Sequence, residues 1–256
     1  MRIKVLGAHN SESKQTSSMC LLVDDILALD AGGLTSNLSF DEQMKIKAVL
    51  LTHHHYDHIR DIPTFSMNRY MRKNPFYIFT HQTVVDKLKQ YLLNNDIYIE
   101  FHKRPEEDPT IKFNILSPYV TTTFEGYSFL AIPLPHSIPA MGYQITSPDG
   151  KTIFYSGDTG NNLAEVWDKI NPQLLFIEVT TSNKWVGFVR NGGHLTPGLL
   201  EEELKSFRKV RGYLPEVVAI HINPTDEDEI KKELSEVSSS LGIPIRTAYE
   251  GMQIEI

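Results

Sequence analysis

The sequence predicts an α/β (α+β) chain folded as one domain over residues 1–256, and three observations carry that expectation. Short apolar runs of strand length recur through both halves, and strands dominate each half before helical stretches mix in late. No repeat at a fixed period, no low-complexity segment and no linker-like stretch divides the chain. Hydrophobic content of 41% and charged content of 22% are ordinary for a globular protein, so the composition points away from disorder and fibres but names no function.

Along the chain the strand candidates are "RIKVLG" from Arg2, "SMCLLVDD", "ILALDAG", "IKAVLLT" ending at Thr52, "FYIFT" and "IKFNIL". The second half offers "TTTFEGYSFLAIPL" read as one run over 121–134, then "MGYQITS", "TIFYSGD", "LLFIEV", "VVAIHI" and the final "MQIEI". Within "SPDGKTIFYS" the Asp149-Gly150 pair supplies a hairpin turn between two alternating runs. Residues 83–93, "TVVDKLKQYLL", carry apolar positions three and four apart, which predicts a helix. A second helix follows from "LLEEELKSF" at Leu199, where Thr196 can cap and Pro197 suits the first turn. Thr225, followed by Asp226, Glu227 and Asp228, reads as a third capped start with acids placed well against the helix dipole. "KRPEEDP" from Lys103 reads as a solvated loop rather than a boundary.

Charge and cysteine content exclude several classes. The net charge is -7 and basic residues form no run beyond pieces such as "NRYMRK", which argues against general binding of nucleic acid. Cys20 is the single cysteine, so one chain can build neither a disulfide framework nor a thiolate metal knuckle, and a buried inert thiol is expected. The N-terminal stretch lacks the apolar core of a secretory signal, and no run of about 18 apolar residues suggests a membrane span. The expectation is a soluble, cytoplasmic protein with no membrane partner.

The chemistry is concentrated in "THHHYDH", residues 52–58. On an extended backbone His53 and His55 share a side while His54 faces elsewhere, and Asp57 and His58 follow on a turn. Three imidazoles and a carboxylate at this spacing suit zinc, manganese or iron, being too rich in nitrogen for magnesium. Three more polar residues end apolar runs: His136 in "AIPLPHSIP", Asp158 in "IFYSGDTG" and His221 in "VVAIHINP". Singly, each is a satisfied core residue by default. With the first cluster they complete a site for two metal ions.

Together with "LDAG" at 29–32, "PHSIPAMGY" at 135–143 and "SGDTG" at 156–160, these motifs make the chain resemble the metallo-β-lactamase superfamily over nearly its whole length. "FIEVTTSN" followed by "GGHLTPGLLEEEL" is similar to class II cyclic-nucleotide phosphodiesterases and, more distantly, ribonuclease Z. The resemblance implies a four-layer αβ/βα sandwich in which both halves deliver strand ends to one rim. It implies a first metal on His53, His55 and His136, a second on Asp57, His58 and His221, and Asp158 between them. A water shared by two divalent ions roughly 3.5 to 4 Å apart, its pKa lowered toward ~7, would be the nucleophile for a small phosphodiester. Asp57, His194 and Glu178 form the expected catalytic set, His194 donating to the departing 3′-oxygen with Glu178 orienting it.

Other residues receive lesser expectations. Asp30 shapes its turn and orients a ligating histidine from behind. His9 is a candidate for lining the pocket, His81 caps or precedes a helix, and His102 belongs to a charged loop. Asp61 stands where relatives usually have glycine, which alters either the pocket entrance or the local turn, and "TTSN" at 180–183 is a loose match to the phosphodiesterase pattern. Ribonuclease Z-like processing of transfer-RNA precursors is the main alternative, opposed by the acidic balance and the lack of a basic or glycine-rich arm. Lactone or thioester hydrolysis is a further alternative, with diiron redox chemistry disfavoured by histidine at position 55. Homodimerisation is an expectation from relatives alone.

Overall fold

The computed structural model describes residues 1–256, the side chain of Asn191 excepted. In chain order the first half forms strands β1 (Arg2–Gly7), β2 (Cys20–Val23), β3 (Leu27–Leu29), β4 (Ala48–Leu50), β5 (Phe76–Thr80) and β6 (Ile111–Ile115), with helices α1 (Phe40–Lys45), α2 (Tyr56–Ile59), α3 (Ile62–Tyr70) and α4 (Gln82–Tyr91). The second half forms β7 (Thr121–Phe124), β8 (Tyr127–Leu134), β9 (Ala140–Thr146), β10 (Thr152–Tyr155), β11 (Leu174–Glu178), β12 (Glu216–Ile220), β13 (Ile245–Thr247) and β14 (Gln253–Glu255). Its helices are α5 (Ala164–Trp167), α6 (Val186–Gly192), α7 (Pro197–Arg211) and α8 (Glu227–Leu241).

The strands make two seven-stranded mixed sheets, ordered β14-β1-β2-β3-β4-β5-β6 and β13-β12-β11-β10-β9-β8-β7. Strands β3 to β6 are parallel, as are β10 to β13, so within each sheet several strands end at the same edge. Alternation along β11 shows how four layers arise: Leu174 and Phe176 face the core between the sheets, while Leu175 and Ile177 face the helices outside. The inter-sheet core joins Val5, Leu29 and Leu50 to Tyr143, Tyr155 and Val218. Outside the second sheet α5, α7 and α8 bury Trp167, Leu200, Phe207 and Leu234; outside the first, Phe65, Val84 and Leu88 do the same work. The αβ/βα sandwich expected from the motifs is the fold found.

Local signals resolve less evenly. Thr196 caps α7 by accepting from Leu199 N, Pro197 opens the helix and Gly212 ends it in the left-handed region. For α8 the expected cap is displaced by one residue. Asp226 takes the position, while the Thr225 hydroxyl donates to Asn223 Oδ1 at 2.8 Å. The run 121–134 is not one strand but a hairpin, because Glu125 and Gly126 both adopt positive φ, 52° and 83°, and reverse the chain between β7 and β8. No described helix is long and apolar enough to cross a membrane.

Candidate metal centre

The seven expected ligands meet at the rim where the parallel strands end. His53 and His55 follow β4, Asp57 and His58 lie in α2, His136 follows β8, Asp158 follows β10, and His221 comes directly after β12. The turn expected for Asp57 and His58 is thus a single helical turn. Three overlapping groups form: His53, His55, His136 and Asp158 in one, Asp57, His58 and His221 in a second, and Asp158, His194 and His221 in a third that borders both. Asp158 joins the first two. Its Oδ2 stands 3.6 Å from His53 Nε2 and 3.9 Å from His136 Nε2. Its Oδ1 stands 3.1 Å from His58 Nε2 and 3.4 Å from His221 Nε2.

For four of the five imidazoles the outer nitrogen is held by a hydrogen bond, which turns the inner one toward the clusters. His58 Nδ1 donates to Asp30 Oδ2 at 2.7 Å, and His136 Nδ1 donates to the Gly193 carbonyl at 2.9 Å. Thr52 donates its hydroxyl to Asp30, so it accepts from His53 Nδ1 at 3.0 Å. The Thr180 hydroxyl donates to Glu178 Oε2 at 2.7 Å and accepts from His221 Nδ1 at 2.9 Å. Asp30 therefore supports one imidazole of each cluster, and Glu178 supports His221 through a hydroxyl. Thr52 and Thr180 were not singled out from the sequence, since a threonine beside a strand end carries no mark of such a link.

Do these residues suit cations? His53 Nε2, His58 Nε2 and Asp158 Oδ1 are buried without a hydrogen-bond partner and point at one another, an arrangement that is costly unless a cation fills it. Burial, with His58 close by, holds the His53 imidazole well below its ordinary pKa, and burial beside His136 takes His55 down to about 4. Both are thereby favoured in the neutral form, the form able to ligate a cation. Burial would push His58 down too, but Asp158, Asp30 and Asp57 outweigh it and raise it well above the ordinary value. Burial works against the Asp57 carboxylate, and His58 and His221 prevail and lower it to about 2. Three carboxylates about one imidazole draw positive charge, which a divalent ion can supply in place of the proton.

Glu178 and His194 lie next to the clusters. His194 Nδ1 bonds Glu178 Oε1 at 2.7 Å, and the same carboxylate accepts from Thr159 N and Leu195 N. Burial lowers the His194 pKa, but Glu178 dominates and pushes it up to about 9. Its ring lies 5.0 Å from that of His136 and stacks 5.5 Å from that of His221. Two glycines make the approach feasible. A Cβ on Gly193 would sit 2.7 Å from His136 Cα, and one on Gly157 would sit 2.6 Å from Thr52 Cγ2.

The remaining candidates are placed apart from the clusters. His9 is buried between Glu250 at 2.7 Å and Glu227 at 3.5 Å, and its neighbour Asn10 lines a cavity beside the segment after β11. Asp61 shapes a turn, accepting from Thr35 N and Oγ1 while pairing with Arg60 Nε. His54 belongs to none of the groups, His81 takes the N-cap position of α4 as expected while its ring bonds the Pro139 carbonyl, and Cys20 is buried.

Residues 28–222 match the Beta-lactamase superfamily domain, and the chain belongs to that family of metal-dependent hydrolases. Over 113 residues it is 30% identical to Ribonuclease Z of Pyrococcus abyssi (strain GE5 / Orsay), a stretch covering 43% of this chain and 34% of that protein. The similarity thus spans about a third of the length of that relative. Among solved structures, unliganded yeast PDE1 superposes with a TM-score of 0.85 at 16% identity, over 100% of this chain and 99% of that one. The metallo-beta-lactamase fold protein YhfI from Bacillus subtilis superposes at 0.80 with 18% identity and the same coverage. At such identities the likeness is one of fold.

Proposed function

We propose that this protein hydrolyses small phosphodiesters, 3′,5′-cyclic nucleotides foremost, at a pair of divalent cations, zinc before manganese or iron. The observation that carries the reading is Asp158, whose two oxygens face two separate histidine groups. His53, His55 and His136 would hold one cation, Asp57, His58 and His221 the other, with Asp158 shared. When bound, such a pair polarises a phosphoryl oxygen and lowers the pKa of water. The chain itself supplies the proton path. His194, with Nδ1 occupied by Glu178, offers Nε2 to the 3′-oxygen as the P–O3′ bond breaks, while water forms the new P–O bond.

Metal quantification on purified protein, then assays of cyclic AMP, cyclic GMP, a bis-aryl phosphate, a lactone and a transfer-RNA precursor with the same batch, tests the reading. Hydrolysis of the bis-aryl diester with cyclic nucleotides untouched removes the substrate assignment. Two bound equivalents with no diester cleaved remove the reaction as well.

Ribonuclease Z activity is the second reading, favoured by the 30% identity over 113 residues. The net charge of -7 weighs against it. An enzyme gripping RNA through several phosphates shows steeply salt-dependent binding, so a flat salt titration with a transfer-RNA precursor excludes it.

A further inference from the structure

Beside the metal centre a cavity of about 480 Å³ opens between the segment after β11, α6 and the turn before α8, a size typical of small-molecule sites. Thr180 is common to both places, since it lines the cavity while its hydroxyl bonds His221. The apolar part of the lining is Trp185, Phe188 and Val189. Trp185 is 51% and Phe188 78% exposed, and neither belongs to any of the three apolar cores. The polar part includes Asn10 and Asn223, and its two charges, Lys184 and Asp226, are paired with each other at 2.5 Å. The Oδ1 of Asn10 accepts from Ser11 and that of Asn223 from Thr225, leaving both Nδ2 groups without a partner among the described residues.

An aliphatic chain would leave the two amides unpaired, and a bare anion would leave the rings unused. A flat heterocycle with acceptors on its edge uses both the rings and the amides. We propose that this cavity holds the nucleobase of the substrate, stacked on Trp185 and Phe188, with Asn10 and Asn223 donating to its edge. The assignment rests on the phosphodiesterase reading and adds a base-recognition subsite to it.

The two tryptophans allow a direct test. Trp167 is fully buried with Nε1 on Glu203, so a base in the cavity quenches Trp185 alone. Adenosine 5′-monophosphate should quench saturably, ribose 5-phosphate should bind at least about tenfold more weakly, and Trp185→Phe should remove the signal while calorimetry still registers the nucleotide. For turnover, the ratio of kcat/KM for cyclic AMP to that for abasic ribose 3′,5′-cyclic phosphate should fall about tenfold or more, through KM, in Trp185→Ala and Phe188→Ala. Trp185→Phe should restore it. Absence of quenching, with a ratio near one that neither alanine changes, overturns the subsite while leaving diester hydrolysis standing. Specific quenching with no diester hydrolysed supports the subsite and sinks the reaction. A dimer that Phe188→Ser dissociates, with no response to nucleotide, overturns the subsite in favour of a surface between copies.

Discussion

Replacing Asp30 with asparagine should weaken both proposed cation sites at once, because this one carboxylate stands behind an imidazole of each. Oδ2 accepts from His58 Nδ1 at 2.7 Å, Tyr155 Oη at 2.7 Å and Thr52 Oγ1 at 2.8 Å, while Oδ1 accepts from Thr52 N at 2.8 Å. An amide nitrogen in either position faces a donor it cannot satisfy. His58 then loses the partner that fixes its proton on Nδ1, and the link through Thr52 to His53 loosens. Removing such an outer partner costs about 10- to 100-fold in metal affinity, and one unmatched buried donor costs about 1–3 kcal/mol of stability. At this chain length the stability term lowers Tm by roughly 2–12 °C. Competition for zinc against a chromophoric chelator, run beside thermal unfolding of the metal-free protein, separates the two effects. Two equivalents bound with unchanged affinity, alongside a lowered metal-free Tm, would refute the orienting role and leave Asp30 as packing alone.

Four further outcomes follow from the same contacts. His194→Ala should slow hydrolysis of a cyclic nucleotide by about 10²- to 10⁴-fold and a nitrophenyl diester far less, because nitrophenolate leaves without a proton; equal losses in steady-state assays remove the acid role. Thr180→Val breaks the link between His221 Nδ1 and Glu178, so chelator competition should show only the second equivalent of metal weakened. Glu203 accepts from Asn162 N, Leu163 N and Trp167 Nε1, so urea unfolding of Glu203→Gln should register a loss of about 1–3 kcal/mol, and an unchanged midpoint contradicts this. Burial lowers the His9 pKa but Glu250 and Glu227 outweigh it, so the folded value is raised. Its contribution to stability is complete below the unfolded pKa of about 6.5 and is lost as pH rises through the folded value; His9→Gln should lack that loss in Tm measured against pH.

The seven clustered residues were legible because His53, His136, Asp158 and His221 close apolar runs while His55, Asp57 and His58 crowd directly behind the first of them, and strand ends on one edge are where a mixed sheet gathers chemistry. Glu178 and His194 were legible only through the family pattern, since neither a buried glutamate nor a loop histidine announces a partner 16 residues away. The short helices α1, α2, α3, α5 and α6 escaped the reading because stretches of four to nine residues complete too few turns to display a face. The hairpin at Glu125-Gly126 was missed because "EG" is a weaker turn signal than "DG" and the flanking runs read as one. The surroundings of His9 were hidden for another reason. A glycine turn predicts where the chain bends, not that Glu250, 241 residues away, will claim the imidazole.

Backbone strain explains why the site lies at the rim rather than on the strands. Asp30 follows β3 and His221 follows β12, and both adopt positive φ, 56° and 59°. A left-handed residue ends the ladder abruptly and turns the side chain over the sheet edge, at a cost of about 1–3 kcal/mol each. Neighbouring hydrogen bonds hold them there. Ala31 N donates to the His58 carbonyl at 2.7 Å, while Ile222 N donates to the Ala8 carbonyl and Asn223 N to that of Thr180. Ala8 belongs to the first half and Ile222 to the second, and Tyr155 of the second sheet reaches Asp30 beyond the first. The bonds that fix the ligands therefore also tie the two sheets together. Cations held by these residues would draw on the contacts that join the halves, so adding zinc to the metal-free protein should raise Tm. It should also slow hydrogen exchange at Ala31 and Ile222 more than in the strand centres; uniform protection across both sheets would contradict this coupling.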